Sequence, residues 1–396
     1  MRDGWEAVKL AQCLASLDVR AGRNGPDLVL SVTEKRGIIP QSSVFKNRIA
    51  TADTSKYKVL EKYDIAYNPY LLWCGAIGQW KGESAGVVSP VYECFRVNGN
   101  HDPSFFGLLF ESGALTPYFN STAIGSIERR RRTTPHVFMN AMLSVPPLME
   151  QRRIVDVVES VDNYIAALQE RVDAARIARN AVLHELLNAG GDGWVETTLG
   201  KIAEVVGGGT PSTTVPEYWD GVIIWLTPTE VVAKDGKRIG DSIRKLTDVG
   251  LRNSGAQLLP ANSVILTSRA SVGFAAISEC PLATNQGFQS LVPNSSSNAE
   301  FLMFWIQNNR AEFDSRAAGS TFKEISKTNV KSIKLLLPPP VEQRRIVEIV
   351  SSMDESIQAS EQTLVEAKNL RSGLLSELLS GEHEIPESYD KLLGAA

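Results

Sequence analysis

One stretch of this chain is written twice. PPLMEQRRIVDVVESVDNYI begins at Pro146 and PPPVEQRRIVEIVSSMDESI at Pro338, and close to half of the positions that follow are identical when the copies are superposed at a shift of 192 residues. Two unrelated helices can share an apolar pattern, but not this density of identical residues, so the segments descend from one ancestor. The chain is therefore expected to be built as two equivalent halves.

Each repeated segment reads as a long helix. From Ile154, apolar residues recur at Val158, Val161, Ile165, Leu168, Val172 and Ala175, then at Val182 and Leu186, a spacing of four and three that keeps one narrow stripe on one face. The second copy gives Ile346, Val350, Met353, Ile357, Leu364, Ala367, Leu374 and Leu378, with Ser360 where the first has Leu168. This is the pattern of a coiled-coil seam. Arg179 and Arg371 interrupt it at the same place in both copies. A seam arginine is read first as a side chain that lays its stem along the stripe and keeps its head in water. The prolines at 146–147 and 338–340 end the preceding strand and open the helix, because proline fixes φ and has no N–H to give a sheet. A lone helix of about 36 residues, on the order of 50 Å long, would leave its stripe in water. The expected partner is the other copy in the same chain; packing of each helix on its own globular block suits a shorter helix and a wider stripe.

With 396 residues, 43% hydrophobic and 22% charged, the chain is long enough for two globular cores beside the helices. A net charge of −4 argues on its face against a nucleic-acid partner, but the charge is divided along the chain. Residues 1–145 hold 17 basic and 13 acidic side chains and residues 191–337 hold 14 of each, whereas residues 146–190 hold 5 and 7 and residues 338–396 hold 5 and 11. The acidity lies in the repeated helices and the tail. Four cysteines, Cys13, Cys74, Cys94 and Cys280, form no CxxC pair, and no histidine stands at ligand spacing, so neither a disulfide framework nor a metal site is expected. The opening MRDGWEAVKL has no apolar signal core and no stretch reaches the roughly 18 apolar residues of a membrane span, so the expectation is a soluble cytoplasmic protein.

The blocks between the helices also match in outline. Both open on a tryptophan and a short strand, WEAVKL at Trp5 and WVETTL at Trp194. YKVLEKYDIAYNPY at Tyr57 parallels AQLLPANSVILTSR at Ala256, SPVYECF at Ser89 parallels TNQGFQSLV at Thr284, and each block closes on a helical stretch, about 103–119 and about 299–316, before a polar loop and a last strand. Short strands between Gly, Pro, Asn and Asp clusters give mixed α+β domains of mainly β character. The organisation expected is a first globular domain over 1–147, a long helix over 148–190, a second globular domain over 191–338, a second long helix over 339–380 and a tail over 381–396.

The PPLxEQRRIV and PPxxEQRRIV helices, the tryptophan-led openings and the stretch GGGTPSTTVPEYWDGVIIWLTP with TNQGF downstream resemble the specificity subunit of type I restriction-modification enzymes over essentially the whole chain. The first block has only loose counterparts of GGGTPS and TNQGF. The resemblance implies that the globular blocks are target recognition domains, each reading one half of a bipartite, asymmetric target in double-stranded DNA. It implies that the long helices form an antiparallel coiled coil that sets the spacer and holds the modification subunits, two of them, together with restriction or translocase subunits. S-adenosylmethionine, ATP and Mg then belong to those partners and none to this chain. Two copies related by an approximate two-fold axis would match the two-fold axes of duplex DNA.

Candidate DNA contacts come first from the run Arg129, Arg130, Arg131, Arg132 with Thr133, since guanidinium forks suit both phosphates and the guanine edge. The same run also suits a solvated charged face. The repeat offset places Lys323 opposite Arg131, with Lys327 close by, so a basic loop recurs in the second domain. Thr210 and Ser212 in GGGTPSTT offer small hydroxyls beside glycine amides, or form a plain turn. Arg269 in TSRASVG and Asn285 and Gln286 in TNQGF can bond base edges, or tie loops together. Arg36, Lys46 and Arg48 are further phosphate candidates.

An adenine methyltransferase would need an Asn/Asp-Pro-Pro-aromatic loop for the flipped base, and the nearest stretch, Asn68-Pro69-Tyr70-Leu71, lacks the second proline and reads as a strand end. No GxxxxGK[ST] phosphate loop is present for a translocating ATPase. The sequence thus describes a non-catalytic reader and scaffold, the alternative being a coiled-coil interaction scaffold of a related defence system without specific duplex readout.

Overall fold

The computed structural model describes residues 4–44, 50–51, 53–125, 131–319 and 323–391. The chain divides into two compact units, residues 1–169 with 362–396, and residues 170–361. The repeated segments are helices of 41 residues each, Leu148–Asn188 and Pro340–Ser380. Each unit takes the first half of one helix and the second half of the other.

The first unit is built on a four-stranded antiparallel sheet in the order Leu14–Leu17, Glu93–Val97, Ile65–Tyr67, Ile77–Gln79, with registers Leu14↔Val97, Ile65↔Phe95 and Ile65↔Gln79. Tyr67, Phe95, Phe110, Phe119 and Phe138 fill its centre in stacked and tilted contacts. The second unit repeats that order as Ala203–Gly207, Gln289–Pro293, Val264–Leu266, Ala275–Ser278, and adds Arg238–Ile239 at the edge. It carries a further three-stranded sheet, Arg244–Leu246, Trp219–Leu226 and Ala283–Thr284. In both units the opening strand pairs with the closing one, Glu6↔Val145 and Val195↔Leu337, so the block ends where it began and hands the chain to a long helix. This is the expected α+β architecture of two mixed globular domains with two long helices.

A glutamine of the repeat fastens each helix to its domain. Gln151 accepts at Oε1 from the Asp102 N–H (2.8 Å) and donates to the Pro146 carbonyl (2.8 Å). Gln343, one repeat later, accepts from the Asn298 N–H (2.8 Å) and donates to the Pro338 carbonyl (2.9 Å). Asp102 and Asn298 are themselves N-caps, of helices Pro103–Glu111 and Ala299–Asn308, their side chains accepting from Ser104 and Phe301 amides. Both glutamines are buried, so the amide satisfies groups that water cannot reach.

The seam arginines are not snorkelling. Arg371 forks onto Asp162 (2.5 and 2.8 Å) and also meets Glu111 at 2.8 Å; Arg179 forks onto Asp354 (2.9 and 2.9 Å) and stacks over Phe304. Asp354 is Asp162 shifted by one repeat, as Arg371 is Arg179, so the two bidentate pairs are reciprocal. A contact of i with j repeated as j with i is the mark of self-complementary pairing. In the second unit Arg171 meets Ser360 while Arg179 meets Asp354, and in the first Arg153 meets Asp390 while Asp162 meets Arg371, so the two segments are antiparallel within each unit.

The stripe departs from the sequence reading at the helix ends. Ile154, Val158, Val172, Ile346, Val350, Ile357 and Leu364 are buried, and Val161, Ile165 and Met353 are half-buried. Leu183 and Leu187 are buried in place of Val182 and Leu186, and Leu375 in place of Leu374. The stripe rotates where the helix ends enter the globular cores: Leu183, Leu187, Ile346 and Val350 join the second unit's core, and Ile154, Val158, Leu375 and Leu378 the first unit's. A straight helix of 3.6 residues per turn drifts off a 3.5 repeat in that way. Leu168, Val172, Ile357 and Leu364 are buried without belonging to either core.

The tail has no counterpart in the repeat. Ile385 is buried in the first unit's core, and Arg153 forks onto Asp390 (2.5 and 2.8 Å) while the Tyr389 hydroxyl donates to Asp156 (2.5 Å). The Arg153 guanidinium holds the Asp390 carboxyl below the usual carboxylate range.

Candidate nucleic-acid interface

In each unit a loop leaving the central sheet is pinned to the polar loop that precedes the last helix of the block. The Thr133 N–H donates to the Pro69 carbonyl (2.9 Å) in the first unit, and the Ile325 N–H to the Ser268 carbonyl (3.0 Å) in the second. Thr133 and Ile325 are one repeat apart, so the same framework position exists twice with different side chains upon it.

In the first unit this place is aromatic and cationic. Arg131 lies 4.7 Å over the Trp73 ring and donates to the Asn120 carbonyl, and Arg132 lies 5.7 Å over the exposed Tyr70. Asn68-Pro69-Tyr70 is thus more than a strand end: Asn68 accepts from the Tyr70 N–H and the Trp73 indole donates to the Tyr70 carbonyl, a closed turn that offers two rings to the arginines. Thr133 is buried, and its N–H serves the framework. Below, Tyr67 is fully buried; burial pushes its phenol well up, against the smaller pull of Arg132. Arg36 is exposed at the tip of the Leu30–Thr33 and Gly37–Pro40 hairpin, where its N–H donates to Thr33 Oγ1. Arg48, Arg129, Arg130 and Lys46 lie outside the described residues.

In the second unit the same place holds Arg269 and Glu324, joined Nε to Oε2 at 2.9 Å. Lys323 is paired with Asp314 at 2.6 Å, and Lys327 is exposed at the start of helix Lys327–Ser332. GGGTPS and TNQGF pack together. A Cβ on Gly208 would stand 2.0 Å from the Asn285 carbonyl, and one on Gly209 would meet Gly255 at 2.3 Å, so these glycines serve close backbone contact. Asn285 accepts from the Gly287 N–H (2.8 Å) and ties its own loop, whereas exposed Gln286 accepts from Thr210. Ser212 is exposed, its carbonyl taking the Trp219 indole N–H at 3.0 Å, and the Trp225 indole holds Gly209. Arg244 sits 3.4 Å over Trp219. Trp73, Glu324, Arg244 and the two tryptophans were not singled out from sequence, and Tyr70 was read only as part of a strand end; the aromatic pair in NPYLLW was the visible signal for Tyr70 and Trp73.

The two units share one framework, and each carries a different polar loop surface on it. Residues 191–369 match the type I restriction modification DNA specificity domain. The chain is similar to the type I restriction enzyme MjaIX specificity subunit of Methanocaldococcus jannaschii, 32% identical over 42% of this chain and 39% of that one. It is also similar to the EcoR124I/EcoR124II specificity subunit of Escherichia coli, 27% identical over 52% of each. The chain thus spans about two-fifths to one half of these relatives' length. The MjaVIII specificity subunit aligns over 96% of this chain and 93% of its own at 19% identity. Among solved structures, one describing complex assembly and conformational transition of the type I R-M system matches with TM-score 0.66 at 18% identity, over 96% of this chain and 98% of that one. The HsdS subunit from Thermoanaerobacter tengcongensis matches with TM-score 0.54 at 18% identity over 97% and 98%. These two share the fold of the whole chain. Among the described residues no helix is long and apolar enough to cross a membrane.

Proposed function

We propose that this chain is the non-catalytic DNA-specificity subunit of a type I restriction-modification complex. Each globular domain reads one half of a bipartite, asymmetric duplex target, and the helices carry the modification and restriction subunits. The observation that carries this is the duplicated framework with unlike loops: Arg131, Arg132, Tyr70 and Trp73 on one copy, Arg269, Glu324, Thr210 and Gln286 on the other. A homodimer of one reader would select a palindrome; one chain with two differing readers selects a split, asymmetric sequence. Arg131, Arg132, Arg36 and Lys327 fit phosphate contacts, and Arg269, Gln286, Thr210 and Ser212 are placed on loops that suit the groove. S-adenosylmethionine, ATP and Mg are assigned to the partner subunits.

The test joins co-purification with a salt-titrated duplex-binding measurement on the full chain. The expected result is association with a modification subunit, preference for a split motif with a fixed gap, and affinity that falls linearly in log salt. Failure to associate, together with equal affinity for all duplexes, overturns the proposal.

A further inference from the structure

The side-chain pair Arg269 and Glu324 is held more tightly than a surface ion pair requires. Arg269 and Glu324 face each other across an isolated antiparallel bridge, and the Ala270 N–H donates to the Lys323 carbonyl (3.0 Å). Ala270 adopts a left-handed conformation, φ 58°, which is uncommon for a residue other than glycine. The turn is closed by the Ser271 N–H on the Arg269 carbonyl (2.7 Å), by the Thr267 hydroxyl on the Ser271 carbonyl, and by the Phe274 N–H on Thr267 Oγ1 (3.0 Å). The backbone thus fixes where both side chains start.

Nε of Arg269 lies 2.9 Å from Glu324 Oε2 as an ion pair, and no hydrogen bond of the Arg269 side chain is formed among the described residues. The two Nη groups are therefore left as a parallel pair of donors. Both side chains are nearly half exposed, 46% for Arg269 and 41% for Glu324. A guanidinium with Nε held by a carboxylate is pre-organised: its orientation is set before it meets a ligand, and the ordering entropy is reduced. Its natural complement is a pair of acceptors side by side, O6 and N7 of guanine in the major groove. The first unit is unlike this: Arg132, one repeat before Glu324, lies over the face of Tyr70, which stands where the second unit has Arg269.

We propose that Arg269 reads a guanine in the half-site of the second domain and that Glu324 is its positioning residue. This rests on the proposed function and deepens it by naming the base and the pair.

The experiment uses the full-length chain and a duplex library in which both halves of a split target are randomised. The wild type selects guanine at a fixed position in one half. Arg269→Lys keeps the charge and loses the fork, so discrimination at that position falls about ten- to a hundredfold and the other half is unchanged. Glu324→Ala gives a smaller loss at the same position, and Glu324→Asp, which keeps the carboxylate, restores most of it. Unchanged guanine selection by Arg269→Lys overturns the assignment while leaving sequence reading intact. So does a uniform loss of affinity on all duplexes, which would make Arg269 a phosphate contact. A wild type that selects no motif overturns the proposed function itself.

Discussion

Arg153 and Arg345 stand at the same point of the repeat and meet opposite surroundings. The Arg153 side chain is 10% exposed and locked onto Asp390; that of Arg345 is 67% exposed and only brushes Glu342 at 3.5 Å. Gln151 and Gln343, two residues earlier, share the two bonds that fasten helix to domain, one to an N-cap amide and one to a proline carbonyl. The repeat therefore encodes the helix and its attachment, while the fate of its outward residues depends on where the chain goes next. After the second helix it folds back on the first unit; after the first it must enter the second domain.

That contrast can be broken most forcefully at the glutamines. Gln151→Ala and Gln343→Ala each strand a buried amide and a buried carbonyl, so each is expected to destabilise its own unit by about 2–4 kcal/mol, read as the shift of that unit's thermal transition. A large effect from one and none from the other would end the equivalence. Arg371→Ala and Arg179→Ala come next, at about 1–3 kcal/mol by the same measurement. The low end applies because Asp162 and Asp354 are about two-fifths exposed and partly screened. Arg371→Ala should cost more, because it also releases Glu111.

Arg153→Ala should raise proteolytic cleavage of the 381–391 tail on the order of tenfold, and Arg345→Ala should leave it unchanged. The acid response sharpens this further. Asp390 has its folded pKa depressed by Arg153, so the pair's contribution is present above the ordinary carboxylate value, about 3.9, and is lost as pH falls through the depressed one. The difference between wild type and Arg153→Ala should be full at neutral pH and fade below about pH 4. The smallest effect concerns DNA. Replacing Arg131 and Arg132 together by alanine should lower the log–log salt slope of duplex binding by about two, and Lys327→Ala by about one. No change in slope would return these side chains to an ordinary solvated face.

The long helices, the strand segments and the pairing of blocks were legible because each has a period or a turn signal within a few residues. The reciprocal pairs were not, since Asp162 lies 209 positions from Arg371 and no local pattern joins them. Reading Arg179 and Arg371 as snorkelling followed from treating each helix alone. The seam slipped to Leu183, Leu187 and Leu375 because the sequence cannot tell a helix face turned to another helix from one turned to a domain core. At the interface, loop composition marked Arg131, Arg132, Arg269 and Gln286, but the sequence did not say that Tyr70 and Trp73 lie beneath two of them. Nor did it say that Glu324 holds a third. Loop partners are chosen by backbone placement, which periodicity does not encode.

The division of the chain into a continuous unit, residues 170–361, and one assembled from both ends of the sequence sets an order on biosynthesis. Domains fold as they leave the ribosome, the earliest first, provided all their residues are present. Here the block made first lacks Leu375, Leu378 and Ile385 of its core until all of residues 170–361 have been translated. The later-made unit can therefore mature while the earlier one waits with part of its apolar interior uncovered, and the segment that completes it is made only after the other unit is whole.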